Sequence, residues 1–235
     1  MTLPRTKTIN PIQGIINFHR FLASQLFYPI LLSSMFAGVL FSLRAFQSQS
    51  FLYQNLIWNL FLAWVPYICS LMAALLDNLF NRHWWLLVAP GLLWIIFFPN
   101  APYLVTDFLH LRDYPRVPIW YDIGMLATFA WTGCFLAIAS LRTMQALVQK
   151  YMGWFLGWIF TGIALSLGGL GIFLGRISRW NSWDLLLQPK GIIYEVTSRI
   201  LDPFNNLQFF GFTTLYTAFL LVCYLTFISV RQIRR

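Results

Sequence analysis

Residues Phe97–Asp113 read FFPNAPYLVTDFLHLRD, and this stretch interrupts an otherwise apolar chain. Pro99 and Pro102 bracket Asn100 and are expected to end the preceding helix, because proline lacks the N–H that a helix interior uses. Asn100 is then expected to cap a new helix, with Pro102 tolerated in its first turn. Plotted at about 100° per residue, Tyr103–Asp113 separates into two faces. Leu104, Val105, Phe108, Leu109 and Leu111 fall on one. Tyr103, Thr106, Asp107, His110 and Asp113 fall on the other. A short amphipathic helix with two acids and a histidine on one face is a candidate site.

The rest of the chain says what kind of protein holds it. Of 235 residues, 59% are hydrophobic and 10% charged, with mean hydropathy +0.66. Soluble domains carry about 25% charged residues, so this is a membrane composition. Eleven Trp, ten Tyr and 23 Phe fit the aromatic enrichment of bilayer interfaces. The net charge of +9 is spread singly between apolar runs and forms no basic stripe, which argues against nucleic acid as a partner. Topogenic charge and affinity for anionic headgroups account for it better, so membrane lipids are the expected partners. Cys69, Cys134 and Cys223 each lie inside an apolar run without metal-ligand spacing and read as small packing residues.

The expected fold class is all-α, a polytopic membrane helix bundle. Six spans are expected at about 21–43, 51–76, 84–98, 119–141, 154–175 and 207–230. Residues 1–20 form a basic N-terminal segment, 21–230 a single transmembrane domain and 231–235 a basic tail. The first apolar run is too long for a signal-peptide core and has no small-residue cleavage site. Asn55, Asn59 and Pro66 suggest that the second span kinks or faces protein rather than lipid. The third, at 15 residues, is short against the roughly 20 a span needs. Gly153 and Gly157, and Gly171 and Gly175, are four apart in or beside the fifth span. That spacing lets backbones approach closely and marks the helix as central.

Six spans put both termini on one side. That side carries nine Lys and Arg and the other seven, which favours cytoplasmic termini in a plasma (inner) membrane. In either orientation the loops after spans three and five share one face. The first carries Asn100, Asp107, His110, Arg112 and Asp113. The second, Arg176–Leu187, reads RISRWNSWDLLL, and a short amphipathic helix is expected in each loop.

Asp107 and His110 are three apart and so neighbours on a helix. They suit an acid–base pair or a metal site in which the carboxylate orients the imidazole, with Asp113 and Asp122 as candidates to complete it. The plainer reading is a histidine held by a local hydrogen bond. Arg176 and Arg179 are also three apart. With Asn181 or Ser182 capping a helix over Trp183–Leu187, they would suit a phosphate or carboxylate. The alternatives are an interfacial segment anchored by Trp180 and Trp183, or Arg179 paired with Asp184 or Asp107. Asp122, just inside span four, is expected to face the polar cleft or an arginine, since an acid at a helix centre costs about 2.5–3.5 kcal/mol on insertion. Asp77, Asn78, Arg82 and His83 read as a solvated turn on the opposite side. His19 reads as interfacial. Glu195 and Arg199 read as an i,i+4 pair on a short surface helix.

FFPNAPYLVTDFLHL at Phe97–Leu111 and GRISRWNSWDLL at Gly175–Leu186 resemble the bacterial membrane family catalogued as domain of unknown function 1361. The resemblance covers spans two to six. It implies a multi-pass inner-membrane protein and supplies no activity, substrate or catalytic residue.

Three functions follow from the residues. The first is binding of an anionic lipid, an envelope ligand, or a membrane partner or second copy through the polar face. Its contacts would be Asn100, Tyr103, Asp122, Arg176, Arg179, Asn181, Trp183 and Asp184. The second is a membrane-embedded enzyme acting on a lipid or envelope precursor, with His110 as acid–base or metal ligand and Asp107 supporting it. No nucleophile elbow, HExxH or Walker motif names its reaction. The third is a small transporter, against which the spans show no duplication and few mid-span charges. The sequence assigns no cofactor.

Overall fold

The computed structural model describes residues 11–80, 83–111 and 116–232, and among them every element is helical. Helix α1 (Pro11–Ser24) is amphipathic and separate from the first span, because Leu26 takes a left-handed conformation (φ 64°) that breaks the helix before α2 (Phe27–Ser48). His19 and Tyr28 hydrogen-bond across the break at 2.6 Å. Helix α3 (Gln54–Leu79) runs through Pro66, which is buried, so the interrupted backbone faces protein.

The third span is longer than expected. Trp84–Leu87 forms a 3-10 turn, followed by α4 (Val88–Phe97), α5 (Asn100–Tyr103) and a second 3-10 segment, Leu104–His110. Together Trp84–His110 make 27 apolar-enough residues to cross a membrane. Helix α4 ends before Pro99 and α5 begins at Asn100 with Pro102 in its first turn, as expected, but the helical path continues past both prolines. Ala101 N–H bonds Phe98 O at 3.2 Å and Tyr103 N–H bonds Pro99 O at 3.1 Å, so each missing proline N–H is bypassed. Asn100 therefore caps nothing: it is the first residue of α5, and its amide is used elsewhere. Tyr103–Asp113 is likewise not one α-helix. Asp113 and Arg112 lie outside the described residues, as do Arg5, Lys7, Arg82, Arg234 and Arg235.

Helices α6 (Ile119–Met152), α7 (Trp154–Arg176) and α10 (Leu207–Gln232) complete six candidate spans. The interfacial α8 (Asp184–Leu187) and α9 (Pro189–Leu201) lie between the last two. The central helix is α6 rather than the glycine-rich α7: 61% of its spanning window is buried against 39%. The glycines do serve close packing. A Cβ on Gly169 would lie 2.6 Å from Thr213 O on α10, and one on Gly171 would lie 2.4 Å from the Pro99 ring. Large apolar side chains such as Leu32, Trp58, Trp131 and Leu215 point outward, as a lipid-facing surface requires.

The buried acids among the described residues are paired. Arg44 and Asp122 form a two-bond ion pair (2.9 and 3.3 Å) with side chains 1% and 0% exposed. Asp77 is not in a solvated turn: it is buried and takes both Lys150 Nζ (2.8 Å) and Tyr151 Oη (2.6 Å). Cys134 and Cys223 are not isolated either; their thiols hydrogen-bond between α6 and α10.

Asp122→Asn leaves the Arg44 guanidinium buried without its counter-charge and is expected to cost about 3–5 kcal/mol. Arg44→Met combined with Asp122→Leu is expected to recover most of that loss, since apolar residues can replace a buried pair. Thermal unfolding in detergent compares them, and a double variant no better than the single would contradict this account.

Candidate functional site

The loops after spans three and five converge, and one ion pair joins them. Arg176, the last residue of α7, donates from Nη2 to Asp107 Oδ1 at 2.5 Å and from Nε to Thr106 Oγ1 at 2.8 Å. Its Nη1 meets His110 Nε2 at 2.6 Å. Arginine has no acceptor, so Nε2 accepts and the imidazole proton sits on Nδ1. The guanidinium also stacks 4.2 Å above the Tyr103 ring. The second Asp107 oxygen accepts from Asn59 Nδ2 of α3 at 3.3 Å.

This inverts the expected amphipathic pattern. Thr106 and Asp107 are buried, while Phe108 and Leu109 are exposed. In a bilayer the polar face must turn inward to find partners, and the 3-10 path sets Asp107 and His110, three apart, on one line facing Arg176 of α7. His110 stays exposed beside them. It lines, with Asp107, Tyr53 and Asn55, a small cavity of about 160 Å³.

Asp122 does not join this cluster. It is occupied by Arg44, an arginine inside α2 rather than in a loop. Tyr53 lies between the two centres: its ring sits 4.5 Å under the Arg44 guanidinium and its hydroxyl donates to His110 O at 3.3 Å. Among the described residues no group of three His, Cys, Asp or Glu side chains could hold a metal ion. A metal reading therefore needs Asp113, which lies outside them.

The two arginines part company. Past α7 the chain turns back, with Arg179 in a left-handed conformation (φ 63°) and Trp180 N–H bonded to Leu174 O at 3.0 Å. Arg179 is thereby carried away from Arg176 and pairs with neither Asp107 nor Asp184. Asp184 instead accepts from the Asn181 backbone N–H at 2.7 Å, so neither Asn181 nor Ser182 caps α8. Ser182 Oγ accepts from Asn100 Nδ2 at 2.7 Å and ties the two loops together a second time.

Between these loops lies a cavity of about 450 Å³. Asn100, Tyr103, Arg179, Asn181, Ser182 and Trp183 line its polar end. Leu62, Ile95, Ile96, Leu167 and Leu170 line its depth. Thus Asn100, Tyr103, Arg179, Asn181 and Trp183 share one cavity, Asp107 and His110 share the smaller one, and Arg176 holds the wall between. Asp122 and Asp184 line neither. Thr106 falls on the polar face and Ser182 at a candidate cap, but no sequence pattern shows their partners, Arg176 and Asn100. Asn59 shows only as a polar residue in an apolar span, and nothing in the pattern singles out Arg44.

Helix α9 closes the cavity through Ile192 and Val196 and is fixed by Glu195. The pair with Arg199 forms as expected (2.8 Å), and Glu195 also accepts from Trp180 Nε1 (2.6 Å) and from Ser178 Oγ. Burial alone would raise the Glu195 carboxyl, but the hydrogen bonds from Ser178, Trp180 and Arg199 outweigh it and hold it below the usual glutamate value.

Fold and site together define a multi-pass membrane protein with a polar cavity at one end of its bundle. The chain belongs to the family described as protein of unknown function (DUF1361), whose model matches residues 58–223. That range includes α3 from Trp58 onward and both converging loops. No curated protein and no solved structure matches the chain.

A carboxyl ionising below its usual value stabilises the fold above that value, and the contribution is lost as pH falls through the lowered one. Acidification below about 4 is therefore expected to loosen α9. A spin label replacing the exposed Tyr194 should gain mobility there, and Glu195→Gln should show the same gain at neutral pH. A label equally mobile at every pH and in both proteins would contradict this.

Proposed function

We propose that this protein binds an anionic, membrane-derived ligand in the cavity between the loops after its third and fifth spans. One observation carries the reading: Arg179 stands at the polar end of a cavity whose depth is apolar, and among the described residues it makes no ion pair or hydrogen bond. Among the described residues the other arginines of this region are committed, Arg176 to Asp107, Arg199 to Glu195 and Arg116 to Ser48 O. An uncommitted guanidinium fork beside amide and hydroxyl groups suits a phosphate or carboxylate. In this reading Arg176 shapes the wall and is no ligand contact.

The membrane is the inner one, with cytoplasmic termini and the cavity on the envelope side. The excess of Lys and Arg on the terminal side supports this orientation.

A catalytic reading is favoured by a different observation. His110, exposed and held as the Nε2-acceptor tautomer, opens with Asp107 on the smaller cavity. Its Nδ1–H can donate a hydrogen bond to charge developing on a bound ligand, with Arg176 and Asp107 fixing the ring and the charge. Asp122, which would have extended that centre, is spent on Arg44.

Arg179→Ala is expected to lower the anionic lipid that co-purifies with the protein by several-fold while leaving thermal stability unchanged, because its side chain is exposed. Arg176→Ala is expected to lower stability instead, by stranding a buried carboxylate. Native mass spectrometry and thermal unfolding separate the two. Unchanged lipid in the Arg179 variant would remove the binding reading. Lipid retained but accumulating unprocessed in His110→Ala would move the assignment to catalysis.

A further inference from the structure

Resting on the binding reading, the dimensions and donor set of the same cavity narrow its ligand. The apolar lining on α7 runs from Leu167 to Gly175. At 1.5 Å per residue this is a depth of about 12 Å, less than half of a hydrocarbon core of about 30 Å. The volume of about 450 Å³ lies toward the smaller end of small-molecule cavities, which run from about 300 to 1,000 Å³. A space this shallow and narrow takes one chain and part of a headgroup; it does not take both chains of a phospholipid.

The headgroup end selects by charge and by donor number. Of the two acids near it, Glu195 is neutralised by Arg199, and Asp184 accepts from the backbone and side-chain N–H groups of Asn181 and keeps its charge outside the lining. Among the described residues Arg179 is the one charged side chain that lines the cavity. Ser182 Oγ already accepts from Asn100, so its own proton is free to donate. Arg179, Ser182 and the second amide hydrogen of Asn181, whose first goes to Asp184, give donors from three side chains, which matches the three terminal oxygens of a phosphate monoester better than the two of a carboxylate.

The route is lateral. The outer faces of α8 and α9 carry exposed Leu186, Leu187, Tyr194 and Leu201, which belong in the interface, while Ile192 of the same segment closes the cavity. A ligand already anchored in the bilayer can slide in beneath this segment without its chain crossing water.

We propose that the ligand is a single-chain phosphate monoester, its chain between α3, α4 and α7 and its phosphate on Arg179, Ser182 and Asn181.

Binding to the full-length protein in neutral phosphatidylcholine nanodiscs tests this, with dodecyl phosphate, dodecanoate, monoacylglycerol and phosphatidic acid as probes. Dodecyl phosphate should bind at least tenfold more tightly than the other three, and Arg179→Ala should remove that advantage. Leu167→Trp, at an exposed position on the chain path, should weaken dodecyl phosphate but leave butyl phosphate unaffected. Leu170→Trp, about one turn nearer the phosphate, should weaken dodecyl phosphate in the same way. Phosphatidic acid bound as tightly as dodecyl phosphate and still dependent on Arg179 would overturn the single-chain assignment and keep the anionic-lipid reading. Dodecanoate equal to dodecyl phosphate would overturn the phosphate assignment. Monoacylglycerol equal to both, or no dependence on Arg179 for any probe, would overturn the binding reading as well.

Discussion

The Arg176–Asp107 pair is the constraint on which the polar end of this bundle depends. Its side chains are 8% and 4% exposed, so neither charge has water to fall back on. Breaking such a pair from one side leaves an uncompensated charge, which costs far more than the pair contributes when intact. The guanidinium therefore recruits every acceptor within reach: Asp107, Thr106, His110 and the face of Tyr103. Those contacts hold the irregular third span against the end of α7, and the cavity is the space left beside that junction.

This explains why the third span ends in a 3-10 segment. On an α-helix Asp107 and His110 would stand about 60° apart. The 3-10 path places them on one line, where Arg176 reaches both. The backbone irregularity is buried against α3, α6 and α7, which is where irregular backbone at membrane depth can exist. The same logic applies at Arg44–Asp122, and Tyr53 packs between the two pairs, so two charged centres are insulated by one aromatic ring.

Much of the fold was legible because the bilayer simplifies the code. Long apolar runs bounded by charges fixed six spans, and glycine spacing marked α7 as a close-packed helix. The failures were of two physical kinds. Pro99 and Pro102 predict a helix end, and α4 does stop before Pro99, but one i→i−3 and one i→i−4 bond carry the path past both prolines, so span three continues. Asp77 reads as solvated, but its partner Lys150 stands 73 residues away, and Arg44 and Asp122 pair across 78. Sequence periodicity carries no information about pairing across such distances. The convergence of the two polar loops followed from counting spans; which arginine faces which acid did not.

Arg179 shows where such pairing logic stops and ligand recognition can begin. A left-handed conformation is unfavourable for a residue with a Cβ and is usually given to glycine at the end of a helix. Here an arginine occupies it, exposed, without an acid, one residue before the tryptophan that locks α9 through Glu195. A glycine would close the same turn with less strain, so the turn alone does not account for the side chain. What the side chain adds is a positive charge at the mouth of an apolar cavity. Among the described residues no acid lines that cavity, and this unpartnered charge is the ground on which the anion-binding proposal stands.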